Sequence, residues 1–196
     1  MLGISHDKDP KPGAALVTAR LNARAQPMDR FEVYEEGLSE MLESRSLGEV
    51  AGGGTQMTED GEIAFCDIEI VLPDLSDATL DEVRQCLEVL GAPKGSVFIL
   101  EPDCREVAFG LNEGLAVYLN GTDLPDEVYE TCDLDTIYDE FGKLLGDQGR
   151  VQSYWQGSTE TALYLYGPSY DAMCAAIQPF LDSYPLCQKA RLIKIA

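Results

Sequence analysis

Apolar residues along this chain recur at two periods, one of three to four and one of two, in an order that is written out twice. Between Leu16 and Leu100 the pattern predicts strand, helix, strand, strand, helix, strand, and Leu115 to Ala196 repeats the series. In the first half, Leu38, Met41 and Leu42 share one helical face, with Gly48 as the stop signal. Leu80, Val83, Cys86, Leu87 and Leu90 form the next stripe, with Asp77 or Thr79 to cap it and Gly91 and Pro93 to end it. In the second half, Leu134, Ile137, Tyr138, Phe141, Leu144 and Leu145 make one stripe. Tyr170, Met173, Cys174, Ile177 and Leu181 make the other, capped by Ser169 and closed before Pro185.

The strands alternate. Cys66, Ile68, Ile70 and Leu72 face one way and Asp67, Glu69 and Val71 the other; Leu115, Val117 and Leu119 share a face, as do Leu163 and Leu165. One apolar face per strand means that helices cover each sheet on one side. The predicted fold class is therefore α+β, two tandem ferredoxin-like (βαββαβ) sandwiches with antiparallel sheets and helices on one face. Landmarks support the duplication: Leu21-Asn22 returns as Leu119-Asn120, Pro27 as Pro125, Val33-Tyr34-Glu35 as Val128-Tyr129-Glu130, and Leu47-Gly48 as Leu145-Gly146. The predicted organisation is a polar arm over 1–13, a repeat over 14–100, a linker over 101–113 and a second repeat over 114–196.

In this topology the first and third strands of each repeat are central, so their outward residues form a continuous surface. In the second repeat that surface carries Tyr118, Tyr164 and Tyr166, with Ala116 and Ala162 between them and Tyr154 or Trp155 beside them. Aromatics so placed are the stacking platform of RNA-binding modules. Here no basic rim and no K/R-G-F/Y pattern accompanies them. They are expected to pack against the other repeat, or against a second copy in a homodimer, with hydroxyls at the rim; a ligand platform is the alternative.

Charge sharpens the exclusion. The 196 residues hold 14 Lys and Arg against 35 Asp and Glu, a net −21, which removes the means of neutralising phosphates on nucleic acids or anionic membranes. Two stretches, Ser46–Val83 and Glu106–Gly142, each contain ten carboxylates and no Lys or Arg. A solvated surface is the ordinary use of such residues. The functional use is an electrostatic lure for a basic protein, with Asp123, Asp126, Glu127, Glu130, Asp133, Asp135, Asp139 and Glu140 as contact residues.

Candidate chemistry is sparse. The one histidine, His6, lies in the polar arm, which argues against triads, Cys–His pairs and zinc enzymes. The six cysteines form no C-x-x-C motif, and Cys66, Cys86 and Cys174 fall on apolar faces, so they read as reduced thiols of a cytoplasmic protein. No segment approaches the roughly 20 apolar residues of a membrane span, and the first residues lack a signal-peptide core. Asp74 to Glu82 lacks the glycine and spacing of a calcium loop and suits helix capping better. Gly52-Gly53-Gly54 leads into a turn and not a helix, so a strand bulge is expected there in place of a phosphate cradle, with a side-chain-free patch that something approaches closely. No cofactor and no metal is implied, and the enzyme reading is weak.

The runs Leu47-Gly-Glu-Val-Ala-Gly-Gly-Gly-Thr55, Cys66-Asp-Ile-Glu-Ile70 and Leu90-Gly-Ala-Pro-Lys-Gly-Ser96 resemble a motif set of uncharacterised bacterial proteins. Over residues 16–100 the chain is similar to small acidic immunity proteins, which neutralise a toxin by occupying it. The resemblance implies a binding role and assigns no residue. The sequence thus points to a non-catalytic cytosolic module that offers an acidic surface to a basic protein. The alternative is a small-molecule sensor or enzyme whose site lies in the crevice between the repeats, lined by Tyr118, Tyr164, Tyr166 and the Gly52–Gly54 bend.

Overall fold

A computed structural model describes residues 14–196; the polar arm 1–13, with His6, lies outside the described residues. Strand β1 (Ala15–Leu21) turns Val17, Ala19 and Leu21 inward and leads into α1 (Pro27–Arg30). Pro27 stands in the first turn of α1, where its missing N–H costs nothing. The helix runs on through a π-helical segment, Phe31–Glu35, into α2 (Glu36–Arg45). Ser46, in the left-handed region at φ 55°, ends it two residues before the glycine expected to do so. Strands β2 (Glu49–Met57) and β3 (Ile63–Leu72) follow, then α3 (Asp77–Val89) and β4 (Ser96–Leu100). The cap of α3 is Ser76, whose hydroxyl accepts from the Thr79 N–H, and not Asp77 or Thr79. Asp74 braces that cap by accepting from the Ser76 N–H and the Thr79 hydroxyl.

The segment expected as a linker over 101–113 is partly sheet. Arg105–Phe109 forms β5, antiparallel to β4, and Phe109 stacks on Phe98 with ring centroids 4.4 Å apart. Only two inward residues, Val107 and Phe109, mark it, too few for alternation to be seen. The first sheet thus has the order β2-β3-β1-β4-β5. The second comprises β6 (Glu113–Asn120), β7 (Arg150–Gln156), β8 (Glu160–Gly167) and β9 (Arg191–Lys194), in the order β7-β8-β6-β9. Its helices are α4 (Asp126–Thr131), α5 (Leu134–Leu145) and α6 (Tyr170–Ser183). All pairings within these sheets are antiparallel. Two tandem ferredoxin-like units are the architecture, the first with an added edge strand.

Burial shows how the units are arranged. In β1 and β3 the buried residues alternate, and outward residues such as Leu16, 43% exposed, meet solvent. In β6 and β8 both faces are buried. Leu115, Val117, Leu119, Leu163 and Leu165 pack with Ile137, Phe141, Met173 and Ile177 of α5 and α6. On the other face, Ala116, Tyr118, Ala162, Tyr164 and Tyr166 belong to the core of the first repeat. The first repeat therefore covers the open sheet face of the second.

Glu113, at the start of β6, ties three elements together. Its Oε2 accepts from the Tyr170 N–H at the start of α6 (2.7 Å), and its Oε1 meets Lys194 Nζ (2.9 Å) and Lys94 Nζ of the first repeat (3.0 Å). The Tyr170 amide first, then the two ammonium groups, hold its pKa down at about 2. Because the folded pKa lies below the unfolded one, Glu113 stabilises the fold above the ordinary carboxylate range and ceases to do so as pH falls towards about 2. Urea midpoints of wild type and Glu113→Gln should therefore differ fully at neutral pH and converge in acid. A difference independent of pH would contradict the assignment.

Candidate functional site

The loop after β1 and the β2–β3 turn of the first repeat press on the tyrosine face of the second. The Arg24 N–H donates to the Tyr166 hydroxyl (2.8 Å), and Arg24 Nη1 donates to the Tyr118 hydroxyl (2.7 Å). Glu62 stands at the centre, paired with Arg24 and accepting from Tyr164 (2.8 Å) and Tyr118. Trp155 donates its indole N–H to the Gly61 carbonyl (2.8 Å), while Tyr34 donates its hydroxyl to Gln152 Oε1 (3.0 Å). The Gln26 N–H adds a bond to Ser153 Oγ (3.0 Å). Burial, reinforced by the Glu62 carboxylate, raises the pKa of Tyr118 and Tyr164, so both stay protonated donors. Burial likewise raises Tyr166 and Tyr34.

Tyr118, Tyr164 and Tyr166 are thus neither a platform nor the lining of a crevice. They are the inter-repeat interface, 6%, 0% and 1% exposed, and the Tyr118 and Tyr164 hydroxyls bond the half-buried Arg24–Glu62 pair. The Gly52–Gly54 run lies apart, on β2. A register shift between Val50 and Gly52 marks the expected bulge. What approaches the bare backbone is the chain's own ion pair. A Cβ at Gly53 would stand 3.0 Å from Glu35 Oε1, 3.2 Å from Arg30 Nε and 2.7 Å from the Asp67 carbonyl. Arg30 and Glu35 pair over that glycine, and Arg30 also donates to Thr55 Oγ1 (2.8 Å).

The eight carboxylates expected to meet a partner lie on or beside α4 and α5, but not all are free. Asp133 caps α5 by accepting from the Thr136 N–H (2.7 Å), and Glu140 pairs with Lys143 (2.6 Å). Asp123, Asp126, Glu127, Glu130, Asp135 and Asp139 are exposed, and none forms an ion pair among the described residues. In the other acidic stretch four of the ten carboxylates are engaged, Glu62 in the seam, Asp67 on Arg20 (2.9 and 3.0 Å), Asp74 at the α3 cap and Asp81 on Arg84 (3.0 Å), while Glu49, Glu59, Asp60, Glu69, Asp77 and Glu82 are exposed and form no ion pair among the described residues.

Beside the acidic face, a cleft of about 440 Å³ opens between the repeats along edge strand β7. Asp29 of α1 forms one side; Leu134, Asp135 and Tyr138 of α5 form another; Val151 to Tyr154 and Thr161 complete it. Asp29 Oδ2 and Gln152 Nε2 are buried atoms without a hydrogen-bond partner. Burial, then Tyr154, Asp29 and Asp135, push the Tyr138 hydroxyl up to about 12. Sequence reasoning missed Asp29 and Gln152 altogether. One is an ordinary acid in the first turn of a helix, the other the residue that the β7 bulge at Val151/Ser153 adds to the strand.

The six cysteines carry free thiols, and burial pushes Cys66 and Cys187 up to about 12, which suppresses their thiolates. Among the described residues no group of three or more His, Cys, Asp or Glu could hold a metal ion, and no helix is long and apolar enough to cross a membrane.

No protein-family model matches the chain, and no curated protein matches it. Among solved structures it is similar to the first two RRM domains of the yeast poly(U) binding protein, at 12% identity over 93% of this chain and 99% of that one, with a TM-score of 0.27. The regulatory subunit of aspartate kinase from Thermus thermophilus matches at 11% identity over 85% and 96%, with a TM-score of 0.26. An anthrone oxidase-like protein matches at 10% identity over 93% and 94%, with a TM-score of 0.26. At these values none lends this chain an activity.

Removing the Glu62 carboxylate leaves two hydroxyls and a guanidinium in the seam without their acceptor, at about 1–3 kcal/mol for a buried group so left. Glu62→Ala should lower unfolding stability by about 2–3 kcal/mol and Glu62→Gln, which keeps an acceptor oxygen, by less. Denaturant titrations check the order; equal stability of wild type and Glu62→Ala would remove Glu62 from its central place.

Proposed function

We propose that the protein is a non-catalytic binding module of the immunity or adaptor type, which offers the α4–α5 face to a basic protein partner. The supporting observation is the row Asp126, Glu127, Glu130, Asp135 and Asp139, exposed and without ion pairs among the described residues. Carboxylates used inside the fold hold caps and seams together. These do not, and their field reaches solvent. Uncompensated charge on one face attracts an oppositely charged protein over about a Debye length, ~8 Å at physiological salt, and accelerates encounter.

The partner is sought by capture from cytosol at low salt with salt-gradient elution, wild type beside the triple variant Asp126→Asn, Glu127→Gln, Glu130→Gln. The reading expects a basic protein retained by wild type and released as salt rises. Its association with the triple variant should be slowed about tenfold or more at low salt, with an unchanged melting temperature. Equal association rates for the two proteins would remove this face from the contact.

A further inference from the structure

We propose that Asn120 is a self-modification site held shut by the fold, where deamidation follows opening of the corner between β6 and α4. Of the three asparagines, Asn22, Asn112 and Asn120, only Asn120 precedes a glycine. The reaction needs no other reactant than water. The Gly121 nitrogen, its proton removed by hydroxide or a buffer base, attacks Asn120 Cγ. A succinimide closes as the N–Cγ bond forms, the Cγ–Nδ2 bond breaks and ammonia leaves, taking up that proton. Water then opens the ring at one carbonyl to give aspartate, or at the other to give isoaspartate, whose backbone is longer by a methylene. Glycine is the successor that crowds this attack least, because it carries no Cβ.

The fold requires that glycine and then guards it. Asn120 ends β6 opposite Glu160, and a Cβ at Gly121 would stand 2.9 Å from the Thr159 carbonyl. The Gly121 N–H donates to the same carbonyl at 2.8 Å. A succinimide nitrogen carries no proton, so ring closure must forfeit that bond. The Asn120 side chain is held as well. Its Oδ1 accepts from the Thr122 N–H (3.0 Å) and the Asp123 N–H (2.6 Å), a local turn of the kind asparagine favours. Tyr129 of α4 latches the corner, because its hydroxyl reaches Asn120 Oδ1 (3.3 Å) and accepts from the Leu124 N–H (3.0 Å). Leu124 is buried in the core of the second repeat and Tyr129 packs against that core. Freeing the corner therefore means lifting α4, a local opening whose free energy adds to the barrier.

The consequence falls on the same latch. Isoaspartate displaces the acceptor oxygen from the Thr122 and Asp123 amides and from Tyr129, and it adds a negative charge beside Asp123. The site does not depend on whether the α4–α5 face meets a partner.

The test incubates the chain in mildly alkaline buffer, folded or in guanidinium chloride, and maps aspartate and isoaspartate by peptide mass spectrometry. In guanidinium chloride Asn120 should be modified before Asn22 and Asn112. In the folded chain its rate should fall about tenfold or more, the loss of at least one buried hydrogen bond expressed as a rate. Tyr129→Phe, which removes the latch hydroxyl, should raise the folded rate and leave the rate in guanidinium chloride unchanged. The comparison of folded with unfolded wild type stands even if that variant does not fold. The isoaspartyl chain, made in guanidinium chloride and refolded, should lose hydrogen-exchange protection at the Thr122, Asp123 and Leu124 amides. Equal rates in folded and unfolded wild type, a folded Tyr129→Phe no faster than wild type, or full protection of those amides after modification would overturn the proposal.

Discussion

A carboxylate carried into the gap between two sheets must find its donors there, and Glu62 finds three. One is the guanidinium of Arg24 from its own repeat; the others are the hydroxyls of Tyr118 and Tyr164 from the neighbouring one. Each of these groups would be costly to bury alone. Together they satisfy one another and fix how the second sheet lies against the first repeat. The tyrosine face then needs no partner outside the chain. The two-sided burial of β6 and β8 follows, and so does the opening along β7 where the contact between repeats ends.

The same fold is therefore used in two ways. The second unit is an inner layer, with helices on one face of its sheet and another unit on the other. The first is an end layer whose outer face carries the Arg20–Asp67 pair and Arg20 over the Phe65 ring at 4.2 Å. Acidic residues are divided accordingly. Glu62 in the seam, and Asp74 and Asp133 at helix starts, accept hydrogen bonds and become structural. Asp126, Glu127, Glu130, Asp135 and Asp139 on α4 and α5 have no such duty, and the binding reading is built on them.

Periodicity made the architecture legible, because long stripes such as Ile137–Phe141 and Met173–Ile177 have only one way to be buried. Strand β5 escaped because two inward residues in five cannot establish a period. The helix ends shifted by a residue or two where serines, Ser46 and Ser76, did the work expected of a glycine, an aspartate or a threonine. The tyrosine face was legible as an interface, while its acceptor was not: Glu62 reads like any of its neighbours until the β2–β3 turn carries it across. For the same reason nothing in the sequence separates Asp29 from other acids in the first turn of a helix. The acidic run over 106–142 was visible as a run, but only the fold shows that Glu113, Asp133 and Glu140 within it are occupied.

Equilibrium unfolding in urea, followed by both Trp155 fluorescence and far-UV circular dichroism, tests the joining of the two repeats most directly. Trp155 is the only tryptophan and is bonded across the seam to Gly61, so its emission reports the contact between repeats. The account predicts coincident transitions, with the seam parting only as the sheets unfold. Exposure of Trp155 at lower urea, while the secondary structure persists, would show two units that merely touch.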